Sequence, residues 1–143
     1  MQSLSPSSVK TIIYSALLLL LLLVISLRII CFGWILLLTG LFQAFLIPIH
    51  LFVITRFIQR LPSEVLLGPY VKYLLAAHLF FLCFFLFQAD IKDEKSYMPL
   101  EFLLGKNKWT AFIKEYSFSF VGLLAAAWAY FMRVMHKISA MYR

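Results

Sequence analysis

Charged side chains are absent from four long stretches of this chain. They run from Lys10 to Arg28, from Trp34 to Arg56, from Lys72 to Asp90 and from Glu115 to Arg133. A helix rises about 1.5 Å per residue and a bilayer core is about 30 Å thick, so each stretch can cross it once. The pattern predicts four transmembrane helices, at about residues 10–30, 33–57, 69–90 and 109–137.

The turn between the first two predicted helices is the tightest connection. Residues 27–33 are available for it, with Arg28 as the charge and Gly33 as the conformationally permissive residue. One continuous helix from Lys10 to Arg56 is the alternative, but it would be about 70 Å long, more than twice the core thickness. We therefore expect a tight hairpin here.

Composition favours the same class of protein. Of the 143 residues, 64% are hydrophobic and 13% are charged, and the mean hydropathy is +0.95. Soluble domains carry about 45–50% apolar and ~25% charged residues, and a small one cannot hide so much apolar surface from water. The predicted fold is all-α, with a single four-helix transmembrane domain over residues 1–143 and short interfacial helices in its loops.

A short near-repeat marks two of the predicted loops. Residues 62–68 read PSEVLLG and residues 99–105 read PLEFLLG. Each copy has a proline suited to a helix start, a glutamate near the positive helix end and a glycine where a helix stops. The copies predict interfacial helices and are interpreted as independent turns, with an inverted repeat as the alternative.

Orientation follows from the distribution of lysine and arginine. With the N-terminus inside, the basic count is seven inside against six outside, because the cytoplasmic side collects Lys10, Arg56, Arg60, Lys72, Arg133, Lys137 and Arg143. Basic residues are enriched in cytoplasmic loops. We expect a multi-pass protein of the plasma or inner membrane with both termini cytoplasmic, whose basic face favours anionic lipid.

Small residues identify candidate faces for helix packing. Gly40 and Ala44 are four apart on the second span, and the fourth span carries a wider set of Gly122, Ala125, Ala126 and Ala129. Small side chains let helix backbones approach closely in lipid. They predict contacts within one bundle, between copies of the chain, or with other membrane subunits.

Gln43, His50 and His78 are candidate polar sites deep within the predicted spans. Gln43 and His50 lie on the second span, on either side of Pro48, and His78 lies on the third. Polar groups at membrane depth mark ion or proton paths, but they also form ordinary interhelical hydrogen bonds. Without a buried carboxylate the cluster is a poor ion site, so hydrogen bonding is the favoured interpretation.

Recognised catalytic and cofactor motifs are absent from the sequence. It has no glycine-rich phosphate loop, no His-Glu-x-x-His, no nucleophile elbow and no closely spaced cysteine pair. In the loop 90–108, lysines interleave the acidic residues and compete for them as metal ligands. We predict no catalytic residues, metal or cofactor, and no nucleic-acid partner.

These observations lead to a function based on packing. The leading hypothesis is a non-catalytic membrane protein that acts as a homo-oligomer or as a small subunit of a membrane complex. An oligomeric pore or holin-like membrane-disrupting effector, lined by Gln43, Pro48 and His50, is the first alternative. An intramembrane enzyme is the second, and it needs a carboxylate from Glu115 or Asp90 beside His50 or His78.

Overall fold

The computed structural model describes residues 5–31, 33–92 and 95–142. Helices dominate these residues, and one short antiparallel hairpin interrupts them. In chain order the elements are α1 (Pro6–Ile30), α2 (Trp34–Arg60), α3 (Ser63–Leu67), α4 (Val71–Phe87), β1 (Asp90–Lys92), β2 (Lys95–Tyr97), α5 (Pro99–Leu104), α6 (Lys108–Glu115) and α7 (Ser117–Met141). In the hairpin, Asp90 pairs with Tyr97 and Lys92 with Lys95.

Three helices are long and apolar enough to cross a membrane. They are α1, the Thr39–Arg60 part of α2, and α7, with mean hydropathies of 2.6, 1.8 and 1.5. The fourth apolar helix, α4, has 17 residues and is shorter. The predicted helical class is therefore confirmed, and three of the four predicted spans correspond to helices that could cross a membrane.

The four long helices alternate in direction. Lys10 Nζ near the start of α1 donates to the Gln59 carbonyl at the end of α2, at 3.3 Å. At the opposite end of α1, Arg28 Nη1 donates to the carbonyl of Gln88, which follows α4, also at 3.3 Å. The most extensive contacts join α4 to α7, and Tyr70 before α4 meets Tyr142 after α7 with ring centroids 6.3 Å apart.

The connection after α1 is as short as the sequence indicates. Helix α1 ends at Ile30 and α2 begins at Trp34. Cys31 closes α1 by donating its backbone N–H to the Leu27 carbonyl at 3.1 Å. Gly33, extended at φ −152° and ψ −172°, is the N-cap residue of α2. Helices α1 and α2 therefore run in opposite directions.

The region expected to form the fourth span, 109–137, is divided in two. A break at Tyr116 (φ −101°, ψ 21°) separates α6 from α7, which begins at Ser117 and runs to Met141. Asn107 caps α6 by accepting from the N–H groups of Trp109 and Thr110 at 2.9 and 3.0 Å. Lys114 on α6 pairs with Glu101 on α5 at 3.2 Å, which ties α6 to α5.

Both copies of the near-repeat form short helices. Helix α3 follows Pro62 and has Gly68 as its C-cap, and α5 begins at Pro99 and has Gly105 as its C-cap. Gly105 has φ +71°, a left-handed conformation in which L side chains are strained, so a glycine suits the end of α5.

Two apolar clusters fill the space between the long helices. The first includes Ile54, Phe57, Leu66, Leu74 and Met135 and lies toward α3. The second lies along α1 and α4 and includes Leu21, Phe81 and Phe85. Trp128 of α7 packs against both clusters. Outside them, large side chains such as Leu19, Leu41 and Phe118 are exposed on the outer surface, as lipid-facing residues would be.

Phe57 and Phe52 provide a matched test of this packing on one helix. Phe57 is fully buried, whereas Phe52 is 62% exposed. We expect Phe57→Ala to destabilise the protein by about 2 kcal/mol, below the ~3–5 kcal/mol of soluble cores because helices unfolded within a membrane are already out of water. Reversible unfolding in mixed micelles measures the loss. Equal losses for Phe57→Ala and Phe52→Ala would contradict the packing.

Candidate functional site: buried polar contacts between the helices

A chain of hydrogen bonds crosses the middle of the bundle. Trp128 Nε1 on α7 lies 3.0 Å from His50 Nδ1 on α2, and His50 Nε2 lies 3.1 Å from His78 Nδ1 on α4. His50 and His78 are 0% and 3% exposed. These hydrogen bonds therefore join three different helices in the buried interior of the bundle, where a polar group has no water to bond.

The donor and acceptor roles in this chain follow from chemistry. The indole N–H can only donate, so His50 Nδ1 accepts and the proton of the neutral ring is on Nε2. His50 Nε2 then donates to His78 Nδ1, which leaves the His78 proton on Nε2. That nitrogen makes no hydrogen bond of good geometry, although the backbone of Leu17 on α1 is within electrostatic reach of the ring.

Aromatic packing holds the rings of this chain in place. The His50 ring stacks on Phe81 with centroids 3.9 Å apart and an interplanar angle of 21°. Phe81 also contacts Trp128, at 5.2 Å between centroids. Because Phe81 lies one turn after His78 on α4, one face of that helix supplies both a polar and an apolar partner to His50.

A second polar cluster lies about 10 Å along α2, seven residues from His50. Gln43 Nε2 donates to Gln88 Oε1 and to Thr39 Oγ1, each at 2.8 Å. Gln88 Nε2 reaches the same hydroxyl at 3.4 Å, and Arg28, 2% exposed, donates to the Gln88 carbonyl. This amide cluster joins the end of α1, the start of α2 and the residue after α4.

The structure thus divides the predicted polar cluster of Gln43, His50 and His78. The two histidines meet, whereas Gln43 belongs to the amide cluster. Pro48, inside α2, is exposed on the outer surface, whereas Gln43 and His50 are buried. Sequence reasoning missed Trp128 and Gln88; an indole in the middle of a span, away from the interface belts, was the available signal for the first.

The predicted helix-packing residues occupy two different settings. Gly40 and Ala44 border an open groove of about 150 Å³ between α1 and α2. On α7, Gly122, Ala126 and Ala129 are exposed, and Ala125 is half-buried against the second apolar cluster. A Cβ added to Gly122 would meet no atom within 4 Å. Nothing in the described part of the chain covers this face of α7.

The predicted basic residues belong to one end of the bundle. Arg56 and Arg60 lie in the last turns of α2, Lys72 lies at the start of α4, and Arg133 and Lys137 lie near the end of α7. Arg60 Nη1 donates to the Ser139 carbonyl at 3.4 Å, which links α2 to α7 at this end. Arg143 lies outside the described residues.

No set of three histidine, cysteine or acidic side chains that could hold a metal ion occurs in the described part of the chain. The hydrogen-bond partners of His50 are His78 and Trp128, and Glu115 is exposed on α6. Among the described side chains, the partners of His50 are thus another histidine and an indole, and the side chain of Asp90 lies outside those described. Comparisons with protein families, curated proteins and solved structures find no match to this chain.

A double-mutant cycle tests the hydrogen bond between Trp128 and His50. We expect His50→Phe and Trp128→Phe to be non-additive, with a coupling energy of about 1 kcal/mol, because interhelical hydrogen bonds in membranes contribute roughly 0.6–1.7 kcal/mol. Unfolding free energies of the two single variants and the double variant give the coupling. Trp109→Phe, at an indole 76% exposed, is the control. Additive losses would mean that the indole and the imidazole do not interact.

Proposed function

We propose that this chain is a non-catalytic, four-helix membrane protein that works by packing against other membrane helices. It does so as a homo-oligomer or as a small subunit of a membrane complex. The observation that carries the proposal is the uncovered small-residue face of α7. The buried polar side chains support it as well, because they bond to one another across helices and so serve packing within the bundle.

A fourth crossing by α4 is part of this proposal. Its 17 residues correspond to about 26 Å of helix, close to the ~30 Å core. Leu74, Ala77, His78 and Phe81 bury its inner side against the other long helices. Short helices α3, α5 and α6 then lie at the membrane interface, where exposed Phe102 and Trp109 meet the headgroup boundary.

Orientation is proposed from charge. Helix alternation supports both termini on one side, and the end of the bundle that holds them also carries Arg56, Arg60, Lys72, Arg133 and Lys137. The positive-inside tendency favours the cytoplasm for this end, in a plasma or inner membrane.

Cysteine labelling tests the four crossings. In a background of Cys31→Ala and Cys83→Ala, single cysteines replace Ser7, Lys106 or Ala140. We expect an impermeant maleimide to reach Lys106→Cys from outside intact cells, and to reach Ser7→Cys and Ala140→Cys only after permeabilisation. If α4 does not cross, Ser7→Cys and Lys106→Cys will share a side and Ala140→Cys will label from the other.

The α7 face is the proposed contact surface. In the most apolar part of α7 only 11% of residues are buried inside the chain, against 22% in α1 and 28% in α2. Gly122, Ala126 and Ala129 follow one another at helical spacing on this side. Small residues permit close backbone approach, and van der Waals packing is what drives helix association in lipid.

Substitutions on α7 test assembly. We expect Gly122→Leu and Ala126→Leu each to weaken association by about ten-fold, because leucine keeps the partner backbone at a distance. Ala16→Leu adds similar bulk to an exposed position of α1 and should have no effect. Cross-linking and size measurement in mild detergent give the association state. The proposal is refuted if the wild type is monomeric and if, purified from native membranes, it carries no other chain.

The two alternative functions stay predictions. The inward polar residues are engaged with each other, so a lumen within one bundle has no geometric support among the described residues. Likewise, the hydrogen bonds of His50 to His78 and Trp128 give no geometric support to an intramembrane enzyme. Neither alternative has a specific observation in its favour.

A further inference from the structure

Two hollows flank one row of side chains at the end of α2. One, of about 310 Å³, is lined by Phe52, Thr55, Arg56, Gln59 and Arg60. The other, of about 290 Å³, shares Thr55 and Gln59 and extends across to Lys10 and Tyr14 on α1. Together they form what we call the basic groove. Each hollow is near the lower end of the size range of small-molecule sites, roughly 300 Å³.

The polar groups of the groove suit an anion. Arg56 and Arg60 are four residues apart on one side of α2, and Thr55 and Gln59 add a hydroxyl and an amide beside them. Lys10 brings a third cation close, since its Nζ lies 3.3 Å from the Gln59 carbonyl. No acidic side chain lines either hollow within the described residues. Guanidinium groups bind phosphate oxygens in a bidentate way, which favours an anionic phosphate group over a neutral ligand.

Arg56 is the residue best placed to meet such a ligand. Its guanidinium carbon lies 5.8 Å from the centre of the Phe52 ring, and its side chain is half-buried. The Phe52 ring, one turn toward the middle of α2, therefore packs against the guanidinium group and holds it beside the hollow. Arg60 contributes its charge from the next turn.

An exposed apolar stripe leads directly to Arg56. Phe45, Ile49 and Phe52 are 71%, 50% and 62% exposed, and they precede Arg56 by eleven, seven and four residues. These spacings put all four on one side of α2. From Phe45 to Arg56 the stripe is roughly 16 Å long, about half of the ~30 Å core and so about one leaflet deep. A soluble anion or a polar peptide gains no apolar contact from this stripe, whereas an acyl chain would pack along it.

We propose that the basic groove binds the phosphodiester headgroup of an anionic phospholipid, whose acyl chain lies along Phe45, Ile49 and Phe52. The net positive charge around the groove disfavours lipids whose headgroups carry a quaternary ammonium. This site is separate from the α7 face and goes beyond the proposed function, since a chain that does not assemble would still bind the lipid here.

Lipid titration of the purified, delipidated protein tests the site. Native mass spectrometry counts the bound molecules of phosphatidylglycerol, of phosphatidylcholine with the same acyl chains, and of glycerol phosphate. We expect one phosphatidylglycerol to bind preferentially. Arg56→Gln should weaken it about five-fold, since one basic residue near the surface contributes on that order to anionic-lipid binding. Arg56→Lys keeps the charge but loses the bidentate contacts, so it should bind more weakly than the wild type and more tightly than Arg56→Gln, which separates charge loss from misfolding.

Arg133→Gln is the matched control. Arg133 is an exposed cation near the same end of the bundle, but on α7 and outside the groove. We expect it to leave phosphatidylglycerol binding unchanged. Equal weakening by Arg133→Gln and Arg56→Gln would overturn the site in favour of general attraction. Equal binding of phosphatidylcholine would also overturn it. So would displacement of the lipid by glycerol phosphate, which would show a free-anion site, or by an acidic peptide, which would show a protein-docking site.

Discussion

The cost of an unsatisfied polar group in hydrocarbon is the constraint on which this structure depends. Lipid offers no hydrogen bonds, so the imidazoles of His50 and His78 must find partners on other helices. Their contact, extended to the indole of Trp128, links α2, α4 and α7 at one level of the bundle. The apolar clusters on either side of Trp128 make contacts without fixed direction, whereas each hydrogen bond requires one donor opposite one acceptor. The polar contacts therefore set the register of the helices.

The two ends of the bundle differ in chemistry. At one end, Gln43, Gln88, Thr39 and Arg28 form a buried cluster that pins the α1–α2 turn to the end of α4. At the other end, Arg56 and Arg60 line an open groove and Lys10 ties α1 to α2. One end is therefore held together by buried amides, whereas the other presents cations around a groove.

Much of the fold could be predicted from charge spacing. Long uncharged stretches predicted the positions of α1 and α2, and the glycine and proline residues of the near-repeat predicted short helices at α3 and α5. The break at Tyr116 could not be predicted in this way. Helix α6, which precedes the break, is joined to α5 by the Lys114–Glu101 pair, a contact between residues 13 apart that charge spacing does not indicate.

The candidate site was partly predictable for a similar reason. Polarity inside an apolar stretch is visible in the sequence, so Gln43, His50 and His78 could be selected as residues that need partners. Their actual partners could not be selected, because pairing depends on rotation and register between helices far apart in the chain. By itself, the sequence determined that the chain is helical and suited to lipid, since apolar composition and uncharged length depend on no contact. Only the tertiary structure decided that His50 meets Trp128 and that Gln43 meets Gln88. It also decided that Gly122, Ala126 and Ala129 of α7 face outward. Each outcome depends on which helix faces lie against one another.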